Sequence, residues 1–357
     1  METKLSGRSL SVQDQAAGSA EIKLFTIQNN RGTKLVVSNC GAAVVALYVK
    51  DRDENFDDVV LGYEDPYEYL RDEYYIGTVV GRYANRINGD TVVINDHAYK
   101  LAAKPGGYHL HGGDKGFNKK LFAATAFKET AHSGISFRYT SPDMEEGFPG
   151  ELELEVIYTL DEEDRWIIEY KAVSNKTTLI NLTQHTYFNL SGLPANGIDG
   201  HELKISSNYY LPVNNMQVPT GILENVNNTA FDFSSFKKIA QDILQDDEQL
   251  HLSNGYDHSF VLEEQHTPVL KHAAVVKETS SGRKMDVYTT EPAIHFYSGN
   301  FLENVKGKNG IIYNKHAGFC LETQHFPDAP NQPHFPTTIL NAGEKFYSKT
   351  IFKFSVE

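Results

Sequence analysis

Cysteine is nearly missing: Cys40 and Cys320 are the only two in 357 residues, far apart in the chain. A pair so placed is no disulfide scaffold, and without a Cys-x-x-Cys spacing no structural zinc is expected. Long apolar runs are missing too. No stretch reads as a membrane span, and residues 1–20 are polar, without the apolar centre of a signal peptide. A cytoplasmic location is the expectation, one that a native leader outside this sequence would change; the sequons at Asn175 and Asn181 then carry no weight. Positive charge is scarce: 33 Lys and Arg stand against 47 Asp and Glu, a net charge of −14. Phosphate backbones and anionic lipids demand clustered Lys and Arg, so neither nucleic acid nor membrane is expected as a partner. Neutral ligands stay open. No Gly-x-Gly-x-x-Gly loop follows a strand, and no solenoid repeat or low-complexity linker appears.

What the chain does have is aromatic, β-forming sequence cut by turns. Hydrophobic residues make up 40%, with twenty Tyr and twenty Phe, enough for a large core. Short apolar runs at 34–38, 43–49, 91–94, 151–160, 166–174 and 284–289 read as strands. Asn88-Gly89 and Ser281-Gly282 carry hairpin chemistry. Helical signals are few: Asp65-Pro66 before 67–70 reads as a cap and first turn, and 236–250 as one longer helix. The expected fold is all-β, a large antiparallel β-sandwich with few short helices. It is expected to be one domain over 20–357, with 1–19 as an N-terminal extension.

Several polar stretches sit where core or charge would be ordinary. In "LINLTQHTYFNLSG", strand alternation puts Asn181, Thr183, His185, Tyr187 and Asn189 on one face. Amides, hydroxyls, an imidazole and a phenol suit a neutral polyol, although an Asn- and Thr-rich surface strand fits equally. His109 and His111 would share a face before Gly112-Gly113. A two-histidine metal site would need a third ligand that no motif supplies, so a hydrogen-bonding or structural histidine is the reading. The two glycines would allow close backbone approach to a ligand, or simply a tight turn. Arg82, Asn85 and Arg86 surround a turn, with solvated arginines the plain alternative, and Asp257 precedes an apolar strand as a turn former or as an acceptor of two hydroxyls. Glu322, inside "FCLETQ", alternates with apolar residues and shares a face with Cys320, which suggests partial burial and a raised pKa. Residues 324–328 read as a rigid polar-aromatic rim.

Together the strings "GRYANRINGD", "HLHGGDKGFNKKLF", "NLTQHTYFNLSG", "DHSFVL", "YSGNFL" and "CLETQHFPDAPNQPHFP" resemble the aldose 1-epimerases, the galactose mutarotases, in order and over residues 81–336. The resemblance implies a β-sandwich enzyme that interconverts the α and β anomers of aldohexoses such as galactose and glucose. It implies Glu322 as general base and His185 as general acid. Asn85, Arg86, His111, Asp257 and His295 would bind the sugar and Tyr187 would lie beside it. His295 departs from the family's usual glutamine, which bears on one hydroxyl contact; Gln184 stands where relatives often have asparagine. No organic cofactor or catalytic metal is required, and a structural calcium or sodium ion stays open. The partner would be a small monosaccharide, the chain a monomer or homodimer. A hexose-6-phosphate epimerase, with Arg82, Arg86 and Lys115 as candidate phosphate groups, and a non-catalytic sugar-binding sandwich are the competing readings.

Overall fold

The largest sheet follows from sequence alternation along four long strands. In Leu152–Asp161, the buried set Leu152, Leu154, Val156 and Tyr158 alternates with more exposed residues; in Arg165–Ser174, Trp166, Ile168, Tyr170 and Ala172 do the same. Antiparallel register sets Val156 opposite Tyr170 and Leu160 opposite Trp166, so both buried sets fall on one face. Lys345–Val356 continues this face, with Phe352 opposite Trp166 and the rings stacked at 5.1 Å. Nine strands form this sheet. Each fully buried large apolar side chain contributes about 1.5–3 kcal/mol.

The computed structural model describes residues 8–12, 20–129, 132–263 and 267–357. Packed on the nine-stranded sheet is a six-stranded one, in the spatial order Tyr187–Phe188, Phe319–Gln324, Ala293–Tyr297, Asp257–Val261, Tyr209–Leu211, Glu224–Asn225. All of its pairings are antiparallel. One face presents Phe188, Phe260, Ile294, Phe296, Phe319 and Leu321, which join the same core as Trp166 and Phe352. A five-stranded sheet, with Arg8–Val12 paired to Ala20–Gln28 at its edge, flanks the sandwich. Two short α-helices occur among the described residues, and no helix there is long and apolar enough to cross a membrane.

The expected strands are present to within a residue or so at each end. Glu68–Arg71 forms the short helix after Asp65-Pro66, with Asp65 Oδ1 accepting from the Tyr67 N–H. Ser281-Gly282 turns the hairpin between Lys271–Glu278 and Arg283–Thr289. The single helix expected over 236–250 is replaced by a two-residue strand at Lys237–Lys238, paired to His201–Ile205, a 3-10 turn at Ile239–Gln241 and a helix at Glu248–Ser253. Asp247 causes the late start, since its carboxylate accepts from the Gln249 and Leu250 N–H groups as a helix cap. Asn88-Gly89 turns the chain but closes no hairpin. Arg86–Asn88 pairs with Tyr108–Leu110, and Thr91–Ile94 pairs with His97–Lys100.

Candidate active site

The second face of the six-stranded sheet is the floor of a cleft. Register alone assembles it: Asp257 lies opposite Tyr297, Ser259 opposite His295, His295 opposite Glu322, and Tyr297 and Tyr187 opposite Cys320. Residues directly opposite point to the same side of a sheet. These polar groups therefore stand back to back with the phenylalanines of the core. The cleft holds about 150 Å³, and its lining includes Tyr75, Asn85, Arg86, His111, His185, Tyr187, Gln217, Asp257, His295 and Glu322.

At its base Glu322, 1% exposed, faces His185, with Oε1 3.6 Å from Nε2. Cys320 Sγ stands 3.5 Å from the other ring nitrogen, Nδ1. Glu322 and Cys320 share a face, as alternation predicted. The strand expected through "LINLTQHTYFNLSG" is not continuous. It breaks into Thr178–Leu179, Thr183–Gln184 and Tyr187–Phe188, paired to three different segments. Its polar residues bond crossing chain segments, whose buried backbone groups need partners. Asn181 accepts from the His325 N–H at 2.9 Å, and Asn189 donates to the carbonyls of Gly197 and Ala317. From this stretch, His185 and Tyr187 line the cleft.

On the opposite wall, His295 Nε2 is 2.7 Å from Asp257 Oδ1, and Ser259 Oγ is 2.9 Å from His295 Nδ1. Asn85, in the left-handed region at φ 64°, brings its amide within 3.3 Å of His295 and donates its backbone N–H to His111 Nδ1 at 3.1 Å. That bond leaves the hydrogen of a neutral His111 ring on Nε2. Arg86 donates to the Met216 carbonyl at 2.8 Å and to Gln217 Oε1, over the ring of Tyr108.

Four expectations change. His109 does not share a face with His111: it is buried against Phe148 with Nδ1 2.7 Å from the Ala102 carbonyl, while His111 follows the strand at φ 50°. Gly112 admits backbone rather than ligand, since a Cβ there would lie 1.8 Å from the Gly81 carbonyl oxygen. Arg82 points inward, 2% exposed, and donates to Ser141 Oγ and to the carbonyls of Pro142, Pro149 and Gly150. Residues 324–328 are buried rather than a rim: His325 Nδ1 lies 2.6 Å from Glu291 Oε2, Asp328 accepts from the Asn88 N–H, and Pro327 alone among them lines the cleft. Tyr75, Ser259, Tyr297 and Gln217 were missed. Period-two alternation from Asp257 and His295 would have found Ser259 and Tyr297. Tyr75, at φ 57° with its ring 4.5 Å from His111, had no such signal.

Burial dominates the electrostatics. It raises Glu322 well above the usual carboxylate value, with the charge of Asp257 adding to it, and lowers His185 to about 4. Burial also raises the Cys320 thiol and lowers His111. Burial works to raise Asp257 as well, but the hydrogen bond and charge of His295 outweigh it and leave this carboxyl below its usual value. Burial thus holds Glu322 toward its protonated form beside a neutral His185. Moving one proton between them gives the ion pair with no change in total charge. Among the described residues, His185, Cys320 and Glu322 bring possible metal-ligand atoms within 4.8 Å of one another. The thiol and the carboxyl face opposite nitrogens of the ring.

The fold and the cleft define a class: an antiparallel β-sandwich with a buried carboxyl–imidazole pair beneath a wall of hydrogen-bonding groups. The aldose 1-epimerase family model matches residues 23–353, and the chain belongs to that family. It is 42% identical over 344 residues to galactose mutarotase of Bos taurus, covering 96% of this chain and 97% of the relative. Against the aldose 1-epimerase of Haemophilus influenzae it is 35% identical over 342 residues, 95% and 97% of the two chains. The crystal structure of an aldose epimerase homologue from C. elegans superposes with a TM-score of 0.85 at 28% identity, covering 93% of this chain and 98% of that one.

Proposed function

We propose that this protein is an aldose 1-epimerase that interconverts the α and β anomers of aldohexoses, galactose and glucose among them. The observation that carries this reading is the Glu322–His185 pair, 3.6 Å apart and buried at the floor of the cleft. Ring opening needs a proton removed from the anomeric hydroxyl and a proton given to the ring oxygen. Glu322 as carboxylate takes the first and His185 as imidazolium gives the second; the C1–O5 bond breaks as the C1 carbonyl forms. After rotation about C1–C2, the glutamic acid returns its proton to O1 and His185 Nε2 takes back the one on O5. Atoms and charge balance without a cofactor. Each positioned transfer contributes on the order of 10²–10⁴ in rate.

The ion pair that starts opening is one proton shift from a neutral glutamic acid–imidazole pair, and sugar hydroxyls bound at the floor supply the dipoles that favour it. Asn85, Arg86, His111 and Asp257 face the space the rest of the ring would fill. Tyr187, whose hydroxyl donates to the Tyr74 carbonyl at 2.9 Å, offers its ring rather than its hydroxyl hydrogen. A hexose 6-phosphate is less well served: Arg82 is turned into the protein, and Arg86 is the one cationic side chain among the residues lining the cleft. A monomer or homodimer working in the cytoplasm is part of the same reading.

The test is an anomer-equilibration panel, by polarimetry, over α-D-galactose, α-D-glucose, xylose and glucose 6-phosphate. Galactose or glucose should equilibrate fastest. A preference for glucose 6-phosphate moves the assignment to the phosphorylated sugar, and sugar binding without any turnover makes the protein a lectin-like binder.

A further inference from the structure

The reaction asks Nε2 of His185 to give a proton and later take one back. Through both steps Nδ1 must keep its hydrogen. The imidazolium carries hydrogen on both nitrogens, and the neutral ring that awaits the proton from O5 must have its Nε2 lone pair free. A neutral imidazole with its hydrogen on Nε2 could do neither step. What faces Nδ1 therefore matters as much as what faces Nε2.

Cys320 Sγ faces it, at 3.5 Å. The position is set by backbone: Cys320 pairs directly with Tyr187, two residues beyond His185, on the strand that also carries Glu322. The same strand thus addresses both nitrogens, Glu322 at Nε2 and Cys320 at Nδ1. The rings of Tyr75, His111, Tyr187 and Tyr297 surround the imidazole with centroids 5.1–6.2 Å away, a hydrogen bond to its own backbone carbonyl also favours its protonated form, and Asp257 and His295 act on it through charge. The thiol is fully buried, and burial above all, with the charge of Asp257, keeps it protonated, so no thiolate competes for the Nδ1 proton. His111 shows the opposite arrangement: its Nδ1 accepts from the Asn85 N–H, which sends its hydrogen to Nε2.

We propose that Cys320 is a positioning residue whose sulfur accepts a hydrogen bond from His185 Nδ1–H and so holds the catalytic ring in the tautomer that leaves Nε2 free to exchange its proton. The proposal rests on the acid–base reading above.

Ring-¹⁵N histidine labelling with two-bond ¹H–¹⁵N correlation reads the tautomer of His185 near neutral pH, the signal being assigned by its loss in His185→Asn. The wild-type protein should show Nδ1–H. In Cys320→Ala the Nε2–H tautomer should become populated. Its kcat should fall about tenfold, well short of the ~10⁴ lost where a charged carboxylate sets the tautomer of a catalytic histidine, because sulfur is a weak acceptor. KM should stay within about twofold, since the interaction acts on chemistry rather than binding. Cys320→Ser, whose hydroxyl can accept, should restore the tautomer and most of kcat. An Nε2–H tautomer in the wild-type protein overturns the proposal, and so does a Cys320→Ala variant that keeps both tautomer and kcat. Failure of the functional reading is separate: it would show as an unmutated protein that equilibrates no aldose.

Discussion

His295 lies directly opposite Glu322 in the paired strands, yet its imidazole bonds to Asp257 on the neighbouring strand, Nε2 to Oδ1 at 2.7 Å. With Ser259 Oγ on Nδ1, both ring nitrogens are engaged by protein. The residue thus braces Asp257 rather than offering a free edge of its own. Removing it in His295→Ala frees one carboxylate oxygen from a hydrogen bond of the charged kind, about 1.5–3 kcal/mol. KM for galactose should rise about tenfold or more, with kcat less affected, in steady-state polarimetry. His295→Gln keeps a donor and should recover most of the loss; equal KM in wild type and His295→Ala would remove the bracing role.

Glu322→Gln keeps the shape of the base and discards its basicity. Anomer interconversion should fall by about 10² or more, while calorimetry still detects sugar binding. The same variant should be the more stable protein as pH rises. The folded wild type keeps a proton on Glu322 that the unfolded chain releases above about 4.3. Wild-type stability therefore falls with rising pH through this group, by about 1.4 kcal/mol per unit until the raised folded value is crossed. Urea unfolding of both proteins across that range checks the sign.

His185→Asn should likewise cost about two orders of magnitude in rate. A smaller loss would transfer the acid role, with His111 the first suspect. Its effect on stability runs in the opposite sense. His185 is lowered to about 4 in the folded state, so below 6.5 the unfolded chain binds a proton that the folded one refuses. Wild-type stability from this group is lost as pH falls from 6.5 to 4, about 3 kcal/mol in all. The variant should escape that loss in acid unfolding curves.

Arg82 and Arg86, four residues apart, should separate cleanly. Arg82 donates to Ser141 Oγ at 2.6 Å and to several buried carbonyls, so Arg82→Ala should lower unfolding stability by about 3 kcal/mol or more through stranded acceptors. Its KM at a temperature where it stays folded should be unchanged. Arg86→Ala should raise KM severalfold and lower unfolding stability by only about 1 kcal/mol, less than Arg82→Ala, since Arg86 is only partly buried.

The arginines also show where sequence reading stops. "GRYANRI" offers two guanidinium groups around one turn, and only the path of residues 141–150 past Arg82 reveals that one is internal. His109 and His111 divide in the same way, because the strand ends at Leu110 and His111, itself left-handed, turns into the cleft while His109 stays buried. The helix expected at 236–250 failed on a cap at Asp247, a signal that was present in the sequence.

By itself the sequence determined that the fold is built of antiparallel strands and that Glu322 and Cys320 share a face, while it left the polar string around His185 open between a ligand face and a surface strand. Those are local properties: period-two alternation and side-chain chemistry survive without knowing what lies opposite. Only the tertiary structure decided which strands are neighbours, and therefore that His295 stands across from Glu322, that Cys320 stands across from Tyr187 and against His185, and that Asn181 and Asn189 serve the backbone instead of the cleft. Register joins residues far apart in the chain through hydrogen bonds that any residue can make, so the information is carried by the packing of the whole core and not by the residues that end up meeting.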